Sequence, residues 1–138
     1  MLLRKSAKEQ LIKSVPLFSH CNGRELSALA AEADELTLPE GKNLTTQGER
    51  GREFMVIVDG SARVLKNGRT INELGSGDFI GEIALLADVP RTATVTTTSE
   101  TTVLVLTDRA FKRVADKTPS VHASLLAALS ERLQADSI

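Results

Sequence analysis

A chain of 138 residues fits one domain of ordinary size, and its 41% of hydrophobic residues are enough for a core. Aromatic residues make up only 3%, with no Trp and no Tyr, so that core must be built from Leu, Val, Ile and Ala. The formal net charge of −1 supplies no basic field for a nucleic-acid partner, and no apolar run approaches the ~20 residues of a membrane span.

The N-terminus, MLLRKSAKEQ, lacks the apolar stretch of a secretory signal. The lone cysteine, Cys21, rules out an intrachain disulfide and reads as a small unreactive side chain near a helix start. Both features fit a soluble, cytoplasmic setting. Residues 4–14 read as a short charged helix. Val15, Pro16, Leu17 and Phe18 form an apolar turn, because Pro16 disfavours continuation. Asn22 and Glu25 have the spacing of a capping box. Leu26, Leu29, Ala30 and Ala33 follow at helical period, and this helix should end near Asp34.

The middle of the chain changes character. All but one of the nine glycines lie between Gly41 and Gly81. Among them sit short runs rich in β-branched residues: Phe54 to Val58, Ser61 to Leu65 and Thr70 to Leu74. Ala93 to Thr98 and Thr102 to Leu106 come later. Asp59-Gly60 and Asn67-Gly68 are tight-turn signals. Many short strands at this spacing argue for a sandwich or barrel rather than βαβ units. Thr107 or Asp108 can then cap a helix carrying Phe111, Val114 and Ala115. Thr118-Pro119 is a cap followed by proline at a first helical position. Val121, Leu125, Leu126, Leu129 and Leu133 mark an amphipathic stripe beyond it. The predicted fold is mainly β with flanking helices (α+β). It divides into an N-terminal helix and turn (1–21), a helix plus β-roll (22–107) and C-terminal helices (108–138), all of one domain.

The segment from Gly81 to Val95 carries the chemistry. Gly81 allows a sharp turn or a close approach of backbone to ligand. Glu82 to Ala87 are good helix formers, but Pro90 and the extended preference of Val89 limit them to one or two turns. A short helix offers backbone N–H groups to an anion. Arg91 adds a permanently charged fork suited to phosphate, and the small Thr92 and Ala93 leave room beside it. Glu82, at the other end of the turn, suits a sugar hydroxyl. Taken singly, Arg91 is an ordinary surface arginine and Glu82 an ordinary helix-start carboxylate. Their joint occurrence, in order and inside a run of strands, is what carries weight.

This stretch resembles the phosphate-binding cassette of the cyclic-nucleotide-binding domain family. The pattern is Gly-Glu, a short aliphatic helix, then Pro-Arg, a small residue, Ala, and Ser or Thr before an aliphatic strand. Phe54 to Ala62 and Gly75 to Ile80 also look like that family's strands and turns, and the resemblance covers nearly all of residues 15–133. It implies an antiparallel β-roll, or jelly-roll-like barrel, with N-terminal helices, a short cassette helix and two C-terminal helices. It also implies that Glu82 accepts a hydrogen bond from the ribose 2′-hydroxyl and that Arg91 pairs with an exocyclic phosphate oxygen. The N–H groups of Ile83, Ala84 and Ala93 would complete the cradle, and Gly81 would admit the sugar. Thr92 would touch the phosphate or the base, with Val64, Ile71 and Asn72 as weaker candidates for the base wall.

The resemblance implies a non-catalytic regulatory domain that binds cyclic AMP, or alternatively cyclic GMP, without a metal. Its C-terminal helices would close over the base and pass occupancy to an effector domain or protein outside these residues. A homodimer is compatible with this reading. Two alternatives stand beside it. One is a domain that kept the fold and lost the ligand, against which the intact Glu82 and Arg91 argue. The other is a cupin-type metal enzyme, which needs several inward His or carboxylate ligands. Only His20 and His122 are present, both outside the predicted barrel.

Overall fold

The computed structural model describes residues 2–136, with side chains described throughout except at position 83 and from 132 onward. The chain forms two compact units, one of helices (up to Ala33 and from Arg109 on) and one of strands (Asp34–Asp108).

In the helical unit, α1 (Lys5–Lys13) packs on α2 (Gly23–Glu32), joined through a 3-10 turn at Pro16–Phe18. The expected capping box starts α2: Glu25 N–H donates to Asn22 Oδ1 (2.9 Å), and Asn22 N–H donates to Glu25 Oε1 (2.8 Å). Two further helices follow the strands, α3 (Asp108–Lys117) and α4 (Ser120–Asp136). Arg113 of α3 pairs with Glu32 of α2 at 3.0 Å. The Ser124 hydroxyl of α4 donates to both Glu25 carboxylate oxygens (2.9 and 3.1 Å). Burial alone would push the Glu25 carboxyl up. The Asn22 N–H and the Ser120 and Ser124 hydroxyls outweigh it and hold the group below its ordinary value.

The stripe expected on α4 is partly redrawn. Val121 and Leu125 are buried, but Leu126 is 64% exposed and the inner place next along the helix belongs to Ala128. The reason is geometric. Positions 121, 125 and 128 follow a helical stripe, whereas position 126 lies ~140° from 121 at about 100° per residue. Leu133 falls outside the described side chains.

The strand unit holds eight strands: β1 (Asp34–Leu38), β2 (Asn43–Thr45), β3 (Glu53–Asp59), β4 (Ala62–Lys66), β5 (Arg69–Leu74), β6 (Phe79–Ile80), β7 (Thr94–Thr97) and β8 (Thr101–Thr107). They form two four-stranded antiparallel sheets, ordered β1-β8-β3-β6 and β2-β7-β4-β5. Consecutive strands often sit in different sheets, which is the roll expected from the sequence. Met55, Ile57, Ile80 and Val103 of the first sheet pack with Ala62 and Val95 of the second in one aliphatic core. The Asn67-Gly68 turn between β4 and β5 has φ of 52° and 78°, the left-handed pair that such a two-residue hairpin needs. Gln47 clasps Asn67 from outside the hairpin, donating to its Oδ1 (2.8 Å) and accepting from its N–H (2.9 Å).

Candidate functional site

β6 places the start of the site. After Ile80 the chain turns at Gly81, whose φ is +76°. It then makes one 3-10 turn, Glu82–Leu85, rather than a longer α-helix. Ala84 N–H closes that turn on Gly81 O (3.1 Å). The chain is next drawn straight by an antiparallel bridge between Pro90 and Arg50. Arg91 extends this clip: its N–H donates to Glu49 O (2.8 Å), and its C=O accepts from Gly48 N–H (2.9 Å). The Thr45 hydroxyl holds Ala93 O at 3.0 Å, after which the chain enters β7. The loop at residues 45–50 therefore fixes the backbone that carries Arg91.

The Arg91 side chain is only 9% exposed. Its Nη2 donates to the backbone carbonyl of Glu53 (2.5 Å) and lies 3.8 Å from the Glu53 carboxylate. Burial pushes the guanidinium's pKa down, and the Glu53 carboxylate works against that shift. The group is thus a preset cation with little water around it, held from behind by a carbonyl. A cation in this state gains more from a bound anion than an exposed one does.

Arg91 faces a cavity of about 340 Å³ lined by Thr45, Ile80, Gly81, Glu82, Ala84, Val89, Pro90, Arg91, Thr92, Ala93 and Val95. Its size is at the small end for small-molecule sites, which begin near ~300 Å³. Among the residues singled out from sequence, Gly81, Glu82, Ala84, Arg91, Thr92 and Ala93 all meet in this lining. Ile83 belongs to the same turn, but its side chain is not among those described. The three base-wall candidates are not brought to it. Val64 packs against the aliphatic core, Ile71 is 59% exposed, and Asn72 is exposed with its Oδ1 accepting from Glu73 N–H. The Ala84 N–H is engaged with Gly81 O, so it reaches a ligand only if the turn opens. The two histidines lie in the helical unit: His20 contacts Glu131, and His122 meets Phe111 edge-on.

Sequence reasoning missed Thr45, Glu53 and Gly51 as parts of this site. Glu53 and Thr45 act through pairings from distant strands, which leave no local pattern. Gly51 leaves a faint one. It is a glycine without a positive φ, so backbone conformation does not demand it, yet a Cβ built there would fall on the Arg91 guanidinium.

A roll of two antiparallel sheets, carrying a Gly-Glu turn and a buried arginine beside a cavity of small-molecule size, defines the class of fold. Comparisons with known proteins make the class specific. The family model for the cyclic nucleotide-binding domain matches residues 35–118. The chain belongs to that family. It is 33% identical over 120 residues to the cAMP-dependent protein kinase regulatory subunit of Mycosarcoma maydis, covering 80% of this chain and 23% of that protein. It is 31% identical over 127 residues to the cGMP-dependent protein kinase of Toxoplasma gondii, covering 92% of this chain and 12% of that protein. The chain therefore spans about a quarter or less of the length of these relatives. Among solved structures, the N-terminal domain of a transcriptional regulator from Streptomyces coelicolor A3(2) matches with a TM-score of 0.83 and 28% identity, covering 91% of this chain and 94% of that one. A cAMP-bound PfPKA-R matches with a TM-score of 0.69 and 25% identity, covering 92% of this chain and 46% of that one.

Proposed function

We propose that this domain binds cyclic AMP in the cavity beneath Arg91 and acts as a regulatory, non-catalytic module. The observation that carries the reading is Arg91 itself, 9% exposed and facing a cavity rimmed by Glu82 and the small residues 92 and 93. In this reading Arg91 pairs with an exocyclic oxygen of the cyclic phosphate, and Glu82 accepts from the ribose 2′-hydroxyl. The N–H groups of Ile83, Ala84 and Ala93 face the phosphate, the Ala84 group after exchanging its bond to Gly81. Gly81 keeps the floor low enough for the sugar. The regulatory subunits among the relatives, and the cAMP carried by the matched PfPKA-R, favour adenine. Cyclic GMP is the second candidate, because Thr92 lines the cavity with a hydroxyl able to accept from the amino group of a syn guanine.

Occupancy is read out through α3 and α4. The junction supports this: Asp108 N–H, at the start of α3, donates to Arg52 O (2.8 Å), next to the residue whose carbonyl holds Arg91. The output belongs to an effector outside these residues. Cys21 is free and buried, as a reducing, cytoplasmic setting allows.

Thermal unfolding with cyclic AMP, cyclic GMP and 5′-AMP tests the ligand class. A cyclic nucleotide at 100 times its Kd should add about 2.7 kcal/mol. The reading expects a rise in Tm with cyclic AMP and a smaller one with 5′-AMP. No shift with either cyclic nucleotide at millimolar concentration overturns it.

A further inference from the structure

We infer that Gly51 is a positioning residue for Arg91: the guanidinium occupies the volume where every other residue would carry its Cβ. The inference rests on the ligand reading for its consequence, but its geometry is independent of any ligand. A Cβ built on Gly51 would fall within bonding-like distance of Arg91 Nε and Cζ, and 2.5 Å from Nη2. A Cβ built on Gly81 would strike Arg91 Nη1 from another side and stand 2.9 Å from Cζ. The arginine head is therefore seated between two bare α-carbons, with the Glu53 carbonyl on its Nη2.

The two glycines are not equivalent. Gly81 has φ +76° and its Cβ would also press on the Glu53 backbone carbonyl at 3.0 Å, so replacing it strains the fold itself. Gly51 has no positive φ, and the atoms its Cβ would meet all belong to the far end of one long side chain. Alanine at 51 is accommodated by expelling the Arg91 head from its seat. The backbone clip at Glu49 and Gly48 then remains, while the charge leaves the position that faces the cavity. Gly51 thus sets affinity without touching the ligand. Gly51 also lines two smaller hollows, of about 220 and 150 Å³, and the second is shared with Arg91 and Glu53. The expelled head has space to move into.

The test is a double-mutant cycle with Gly51→Ala and Arg91→Ala, read by cyclic AMP titration and by the NMR signal of the Arg91 Nε–H. Wild-type protein should show a slowly exchanging Arg91 Nε–H, as a buried head requires. Gly51→Ala should lose that protection in the absence of any nucleotide. It should also weaken cyclic AMP binding roughly 10- to 100-fold, the range expected of an overpacked site. In the Arg91→Ala background, Gly51→Ala should change affinity less than about twofold, because the occupant of the seat is gone. A protected Nε–H in Gly51→Ala, or an equal loss of affinity in both backgrounds, overturns the inference. If wild-type protein binds no cyclic nucleotide, the ligand reading fails alone, and the Nε–H comparison still decides whether Gly51 seats Arg91.

Discussion

Arg91 illustrates how a residue can be singled out from the sequence while its setting stays hidden. Proline before it and small residues after it single it out in the sequence as the candidate phosphate contact. Nothing local says that it is buried, or that Gly51 and the Glu53 carbonyl hold it, because those partners are some 40 positions away in the chain. The same holds for Gly81, which the sequence assigns to ligand approach. In the structure it also clears room for Arg91, and its φ of +76° is left-handed. Gly81→Ala should therefore cost about 1–3 kcal/mol of stability, as strained backbone does, and lower Tm by several degrees in the ligand-free protein. A Tm equal to wild type would place the glycine's role wholly with the ligand. Cys21 offers a second check at this scale. Burial first, and the nearby Glu25 charge second, push its thiol up to about 12, with Lys13 opposing. Native protein at pH 8 should leave a thiol reagent unreacted until it is unfolded. Rapid labelling of folded protein would contradict the buried position.

Elements differ in how visible they are in sequence, and the difference follows from where their stability originates. The Asn22–Glu25 box and the Asn67-Gly68 turn are local devices, satisfied by residues three apart or adjacent, and both appear where expected. β1, β2 and β6 carry no local strand pattern of their own. β6 has two residues and β2 three, and Asp34, which helical period places at the end of α2, opens β1. Each exists because a partner strand supplies its bonds: β8 for β1, β7 for β2 and β3 for β6. The short 3-10 turn at Glu82–Leu85 agrees with the limit that Val89 and Pro90 set locally, and the Arg50–Pro90 bridge adds a long-range restraint beyond it. The Glu25 cluster gives this scale its prediction. A carboxyl held below its ordinary value stabilises the fold fully above the unfolded pKa, about 4.3. That stability is lost as pH falls through the folded value. Glu25→Gln should lower Tm at pH 7 and flatten its decline between about pH 5 and pH 3. A variant with the wild-type pH profile would remove the carboxylate from the account.

Across the whole molecule, the order helices, strands, helices is legible in the sequence. Its grouping is not: α2 assembles with α1, α3 and α4 in one compact unit, and the strands form the other. Contacts between α4 and the 3-10 turn at Pro16–Phe18 bring together residues about a hundred positions apart, which no periodicity announces. Among the described residues no helix is long and apolar enough to cross a membrane. The chain crosses from one unit to the other at the start of α3, so readout of the cavity by the helices should appear as a change in amide exchange there. Saturating cyclic AMP should slow exchange in residues 81–93 and alter it in 108–131. A change confined to the first segment would leave a binding domain without the proposed transmission.

The central claim is that Arg91, buried beside the cavity, recognises the phosphate of a cyclic nucleotide. Calorimetric titration of wild-type protein and Arg91→Ala with cyclic AMP measures it most directly. Truncating one partner of a buried, hydrogen-bonded charge pair costs about 2–5 kcal/mol. The account predicts saturable binding to wild type and a loss of roughly 30- to several-thousand-fold in the variant. Equal affinity of the two proteins, or no binding to wild type at millimolar nucleotide, would contradict it.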